Sequence, residues 1–90
     1  MESEREETLL AEHARLHALW RRNLAKRYDP RTKPRSRFAY AAHATKLEHK
    51  LRQVEGNMRG PIPTYDAEYE RDVNDVIRAG YVEQRAAIRR

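Results

Sequence analysis

The sequence predicts an all-α protein of three helices, on three observations. Apolar residues recur at spacings of three and four along three successive segments, as they do on one face of a helix. No segment alternates apolar and polar residues, so nothing predicts a strand. Prolines at 30, 34, 61 and 63 divide the segments, because the residue before a proline is disfavoured in helical geometry. We expect helices over about 4–27, 37–57 and 65–88.

The chain of 90 residues is long enough for a single small domain, spanning 1–90. Leu, Ile, Val and Phe together number 15, below the roughly 20% of residues at which a charged chain begins to resemble a disordered one. Ordering a residue costs on the order of 1.5 kcal/mol, and so small a core offsets that cost poorly. The expected architecture is a helical hairpin plus a third helix, either as a small three-helix bundle or completed by a partner or a second copy.

The composition excludes several classes of protein. Without cysteine the chain has no disulfide, no thiolate metal site and no cysteine nucleophile. The amino terminus is acidic and lacks the basic and apolar regions of a secretory signal, and no apolar run is long enough to span a membrane. We expect an intracellular protein, cytoplasmic or in the nucleoid or nucleus, that is not secreted and has no membrane partner. A viral or phage origin fits as well.

The first helix is expected over about 4–27. Ser3 and Glu6 have the spacing of a capping box, in which each side chain accepts a hydrogen bond from a free backbone N–H of the first turn. The helix is expected to stop at Tyr28 and Asp29, because Pro30 disfavours helical geometry just before it. The apolar stripe of this helix consists of Leu9, His13, Leu16, Trp20 and Leu24.

A basic, proline-containing loop at 28–36 is expected to be stiff and extended, because Pro30 and Pro34 fix their own backbone and restrict the preceding residues. Ser36 is then placed to cap the second helix. That helix has a heptad-like seam, which Phe38 and Ala41 widen at its start. The seam consists of Tyr40, Ala44, Leu47, Leu51, Val54 and Met58.

The third helix is expected over about 65–88, capped by Thr64 or Asp66, with acidic residues in its first turns as the helix dipole favours. Gly80 costs about 1 kcal/mol relative to alanine in a helix, so Ala79 and Gly80 mark the place where this helix would kink or divide. The apolar stripe consists of Tyr65, Tyr69, Val73, Val76 or Ile77, Tyr81 and Ile88.

His13 and His17 are the candidates for a metal site, because side chains four residues apart share one helical face. Such a site needs a third ligand, which would have to be His43 or His49. Helical zinc proteases also place a glutamate directly after the first histidine, where this chain has Ala14. We therefore interpret the two histidines as a partly buried or surface pair and predict no metal.

The sequence offers no catalytic constellation. The two serines, Ser3 and Ser36, are expected in a cap and in the basic loop, and no glycine-rich phosphate loop or nucleophile elbow is present. The acidic residues cluster at helix starts, where the helix dipole accounts for them. We predict a non-enzymatic protein with no catalytic residue and no cofactor.

The main functional signal is a basic segment at residues 20–37. It carries eight basic residues against one acid, Asp29, whereas the net charge of the whole chain is +5. Arginine outnumbers lysine six to two in this segment, which favours bidentate recognition of phosphate or carboxylate. The eight basic residues are Arg21, Arg22, Lys26, Arg27, Arg31, Lys33, Arg35 and Arg37.

Three interpretations of the basic segment remain open. It is a solvated region or pairs with the acidic third helix; it binds nucleic-acid phosphates; or it docks on an acidic protein surface. We favour a non-enzymatic subunit or adaptor of a larger assembly that binds a polyanion, with nucleic acid preferred. The alternative is a protein-only adaptor or inhibitor whose helical seams and basic loop dock on an acidic partner protein.

The nucleic-acid hypothesis rests mainly on Arg31, Lys33, Arg35 and Arg37, because the helix dipole already favours cations at the end of the first helix. Trp20 and Tyr28 bracket those helical cations and would offer stacking surfaces for bases. We interpret Trp20 as a core or interface residue, because it also lies on the apolar stripe.

Overall fold

The computed structural model describes residues 2–79 of the chain. It contains helix α1 at Glu2–Tyr28, helix α2 at Pro34–Asn57 and helix α3 at Asp66–Tyr69. α3 runs directly into a π-helical turn at Glu70–Asn74, and residues 75–79 continue as α-helix. Within 2–79 every regular element is helical, which confirms the all-α prediction. No helix in this range is long and apolar enough to cross a membrane.

α1 and α2 form an antiparallel hairpin. The contacts between them progress in opposite directions along the two helices: His13 meets Glu55, whereas Trp20, further along α1, meets Glu48, which comes earlier in α2. The open end of the hairpin is closed by a hydrogen bond from the Arg59 backbone N–H to the Glu6 carboxylate at 3.1 Å. The third helical segment packs along α1.

The predicted capping box at the start of α1 is wrong. The helix already includes Glu2, so Ser3 lies inside it and is not its cap. The Glu6 side chain instead accepts the hydrogen bond from Arg59, which lies beyond the end of α2. A long-range contact thus replaces the local one that the spacing indicated.

The predicted cap of α2 is also wrong. The helix begins at Pro34, its N-cap is Lys33, and no side chain caps it, so Ser36 lies within the first turn. Proline is favoured at this position because its fixed φ suits the first turn and its missing N–H would have no partner there.

The connection between α1 and α2 is a tight turn over 29–33 and not the extended loop expected at 28–36. The Thr32 N–H donates to the Asp29 carbonyl at 3.0 Å, and the Asp29 carboxylate accepts from the Arg31 N–H at 2.9 Å. Proline fits the second position of such a turn, where Pro30 stands, because its φ matches the required value. Arg37 donates from Nε to the Thr32 carbonyl at 3.1 Å and from its terminal nitrogen to the Pro30 carbonyl at 3.3 Å.

The π-helical turn at Glu70–Asn74 was not predicted. Tyr69, Val73 and Ile77 follow each other at steps of four, and in an α-helix each such step overshoots a full turn by about 40°. The wider i→i+5 turn takes up this excess. Val73 is fully buried, and Tyr69 and Ile77 pack beside it. The remainder of the third predicted helix, including Gly80, Tyr81 and Ile88, lies outside the described residues.

The core lies between the hairpin and the third segment. Its buried apolar residues are Leu16, Leu24, Ala44, Leu51 and Val73. Trp20, Tyr69 and Ile77 are partly buried against it. The other predicted seam positions are half-buried, because the third segment covers only one side of the hairpin; they are Leu9, Tyr40, Leu47 and Val54.

The expectation that Phe38 widens the seam of α2 is wrong, since its exposed fraction is 81%. Two residues along a helix correspond to a rotation of about 200°, so Phe38 lies nearly opposite Tyr40 and faces away from the hairpin.

Candidate functional site: a polar interior and a cationic hairpin end

The structure divides the predicted basic segment into buried and exposed cations. Arg21 is buried, with an exposed fraction of 8%, whereas Arg22 is exposed. We use the term hairpin end for the turn at 29–33 together with the exposed cations in it and beside it. Apart from Arg31, those cations are Arg22, Lys26, Arg27, Lys33 and Arg35.

Arg21 contributes to the interior of the protein. Its Nε donates to the Asp72 carboxylate at 3.2 Å, and a terminal nitrogen lies 2.6 Å from His17 Nδ1. Its guanidinium lies over the Tyr65 ring at 5.6 Å from the centroid. Hydrogen bonds from Arg71 and then from Arg21 lower the pKa of Asp72. Arg21 is therefore bound inside the protein and is not one of the exposed cations that could contact a polyanion.

His13 is the most buried polar residue among residues 2–79, with an exposed fraction of 1%. Its Nδ1 lies 3.1 Å from the Tyr65 hydroxyl and its Nε2 lies 3.0 Å from the Glu55 carboxylate. The imidazole also stacks on the Tyr65 ring, with centroids 5.6 Å apart. His13 thus joins α1 to α2 and to the segment that leads into α3.

His17 is enclosed by aromatic rings. The centroid of its ring is 4.5 Å from that of Tyr65 and 5.1 Å from that of Trp20. Burial lowers the pKa of His17, and the nearby charges of Arg21 and His13 lower it further. Burial likewise raises the pKa of Tyr65. We call these connected groups the polar interior; its members are His13, His17, Arg21, Glu55, Tyr65 and Asp72.

The histidine pair that the sequence suggested as a candidate metal site lies within the polar interior. The rings of His13 and His17 lie 6.2 Å apart, and protein side chains occupy both ring nitrogens of His13 and Nδ1 of His17. In the described part of the chain, no three histidine, aspartate or glutamate side chains are grouped to hold a metal ion. A signal for this arrangement exists in the sequence, since His13, His17 and Arg21 follow at steps of four on one face of α1.

Trp20 does not present a stacking surface to solvent. Its ring stacks on Tyr69 with centroids 5.7 Å apart, and its indole N–H donates to the Glu48 carboxylate at 3.0 Å. Tyr28, at the end of α1, is 41% exposed, and the Arg27 guanidinium lies 5.1 Å from its ring centroid. The two aromatic residues that bracket the basic helix end therefore have different environments.

The single acid of the basic segment is already paired. The Arg31 guanidinium donates to both carboxylate oxygens of Asp29, each at 3.2 Å, and these hydrogen bonds together with the backbone N–H of Arg31 lower the pKa of Asp29. The Arg37 guanidinium donates hydrogen bonds to backbone carbonyls of the turn. Two of the four cations on which the nucleic-acid hypothesis mainly rested thus have structural roles in the turn.

The remaining cations of the hairpin end face solvent. The side chains of Arg22, Lys33 and Arg35 are exposed and make no hydrogen bond or ion pair within the described range 2–79. The first turn of α2 beside them contains no acidic residue, and no side chain caps its N–H groups. The hairpin end thus combines unpaired positive charge with the positive end of a helix dipole.

Comparisons with protein-family models, curated proteins and solved structures gave no significant match to this chain.

Proposed function

We propose that this chain is a non-enzymatic helical protein that binds the phosphate backbone of a nucleic acid through the hairpin end. The observation that carries the proposal is the group of five exposed cations around a turn whose only acid, Asp29, is already bound by Arg31. A cytoplasmic, nucleoid or nuclear location would suit such a partner.

Geometry at the start of α2 supports phosphate as the recognised group. Free backbone N–H groups at a helix N-terminus favour anions, and Lys33 and Arg35 flank this one. Arginine side chains such as Arg22 and Arg35 offer planar pairs of donors that match two phosphate oxygens. The proposal assigns no helix to contacts with base edges, so we expect the protein to recognise the nucleic-acid backbone and not a particular base sequence.

Within residues 2–79, the acidic third segment makes no ion pair with the exposed cations of the hairpin end. Between α1 and the third segment, the described ion pair is Arg21 with Asp72, and it lies in the interior. Asp72 also accepts a hydrogen bond from its neighbour Arg71. This arrangement supports an external anion as the partner of the exposed cations.

Titration of labelled duplex and single-stranded oligonucleotides at several salt concentrations tests the proposal. Neutralising about five phosphates of a duplex gives a slope of log K against log salt of roughly −4. We expect Lys33→Gln/Arg35→Gln to reduce this slope by about 2 and to weaken binding about equally for different sequences.

The chain offers a matched control in Lys50→Gln/Arg52→Gln. This pair also removes one lysine and one arginine two residues apart from exposed positions on α2, but near the opposite end of the hairpin. The control variant should keep the wild-type slope. Absence of binding near 50 mM salt, or equal losses in the two double variants, would overturn the proposal, and the first result would favour an acidic protein partner.

A further inference from the structure

Phe38 is the most exposed large apolar residue of the described chain. Its exposed fraction is 81%, compared with 50% for Ile62, 41% for Tyr28 and 40% for Leu10. Burying a phenylalanine side chain stabilises a fold by about 1.5–3 kcal/mol, and this chain has few large apolar residues to bury. The fold thus leaves the large apolar side chain of Phe38 in water, although its small core would gain stability from burying it.

The surroundings of Phe38 are cationic. It lies in the first turns of α2, one turn after Arg35, and side chains three residues apart on a helix are neighbours. The end of α1 lies at the same end of the hairpin as the start of α2, and there Tyr28 is exposed and the Arg27 guanidinium lies 5.1 Å from the Tyr28 ring centroid. An apolar protein partner would have to bury these charges in order to cover Phe38.

From this juxtaposition we infer that Phe38 is a stacking platform for an unpaired base, so that the hairpin end prefers single-stranded to duplex nucleic acid. The inference rests on the proposed function and extends it by naming the class of nucleic acid. Single-strand binders combine a positively charged track for the backbone with aromatic rings on which bases stack. In a duplex the faces of the bases are already stacked, so Phe38 gains no partner there.

Phe38→Ala and Phe38→Trp test the inference with single-stranded and duplex oligonucleotides of equal length at one salt concentration. Loss of one stacking contact should weaken single-strand binding by about 5- to 100-fold and leave duplex binding and both salt slopes unchanged. Phe38→Trp should retain the single-strand affinity. Its indole fluorescence should be quenched on binding, beyond the change that Trp20 shows in the wild-type chain.

Ile62→Ala is the matched control, because it removes another exposed apolar side chain from the connection after α2, at the other end of the hairpin. It should change neither affinity. Circular dichroism checks that each variant remains helical, which we expect because Phe38 contributes little to the core. If wild type binds single strands and duplexes but Phe38→Ala affects neither or both equally, the stacking inference fails while the proposed function stands. If wild type binds no nucleic acid, both fail.

Discussion

Arg21 and Arg22 are identical neighbours in the sequence, and the fold uses them in opposite ways. Arg21 is buried, bound to Asp72 and His17 and stacked over Tyr65. The side chain of Arg22 is exposed and has no hydrogen-bond or ion-pair partner among residues 2–79. One step along a helix turns a side chain by about 100°, which is enough to move it from the packed face to the solvent face.

The same contrast separates the polar interior from the hairpin end. In the interior, each charged or titratable side chain has a hydrogen-bond partner, because an unpaired buried polar group is costly. These partners belong to another element except for His17, which is bonded to Arg21 of the same helix. No buried side-chain nitrogen or oxygen in the described part is without a hydrogen-bond partner. At the hairpin end, water solvates the cations, so they remain available to an external anion. Burial and pairing within the protein therefore distinguish a structural cation from a candidate binding cation, and residue type does not.

The largest expected effect comes from exchanging the two neighbouring arginines for alanine in turn. Arg21→Ala leaves Asp72 without its interhelical partner and removes the ring contact with Tyr65, so the free energy of unfolding should fall by about 3 kcal/mol. Arg22→Ala should change it by no more than about 0.5 kcal/mol. Urea denaturation followed by circular dichroism measures both.

Nucleic-acid binding provides the complementary measurement for the arginine pair. Arg22→Ala should weaken binding and reduce the salt slope by about 1. Arg21→Ala, assayed at a temperature where it remains folded, should keep the wild-type slope. If the two variants lowered the free energy of unfolding by similar amounts, the idea that burial makes Arg21 structural and leaves Arg22 dispensable for folding would be contradicted.

A smaller effect is expected at His13, compared with an exposed histidine. His13→Ala removes the hydrogen bonds to the Tyr65 hydroxyl and the Glu55 carboxylate and should lower the free energy of unfolding by about 2 kcal/mol. His49→Ala on the solvent-exposed side of α2 is the control and should be nearly neutral. The same urea titrations detect the difference, and equal values would contradict the bridging role of His13.

The smallest effect is a pH dependence from His17. Its pKa is lowered from the ordinary value of 6.5 in the folded chain, although the charges of Glu55 and Glu68 act in the opposite direction. Below pH 6.5 the unfolded chain therefore binds more protons than the folded chain, and the free energy of unfolding falls as the pH drops towards the lowered pKa. One such proton contributes a slope of at most about 1.4 kcal/mol per pH unit.

Denaturation between pH 7 and pH 5 measures the contribution of His17. His17→Gln keeps a side chain that can accept from Arg21 but does not titrate, so it should flatten the profile. His43→Gln, at an exposed position of α2, is the control for exchanging a histidine for glutamine. Parallel profiles for wild type and His17→Gln would exclude His17 as the source.

Local sequence patterns predicted the helices well but their caps poorly. The spacing of apolar residues located α1 and α2 to within a few residues, because a buried stripe repeats with the helical period. The caps at Ser3 and Ser36 failed because other contacts and Pro34 define those helix starts. The π-helical turn at Glu70–Asn74 could not be predicted from the spacing, because steps of four also occur along α1, which remains α-helical.

The sequence by itself determined that this protein is helical, that its core is small and that its positive charge is concentrated between residues 20 and 37. Only the tertiary structure decided which of those cations are used in folding: Arg21 in the interior, and Arg31 and Arg37 in the turn. It also decided that Phe38 is exposed beside the remaining cations. The physical reason is that periodicity and composition act along one helix, whereas burial and pairing depend on residues brought together from distant parts of the chain.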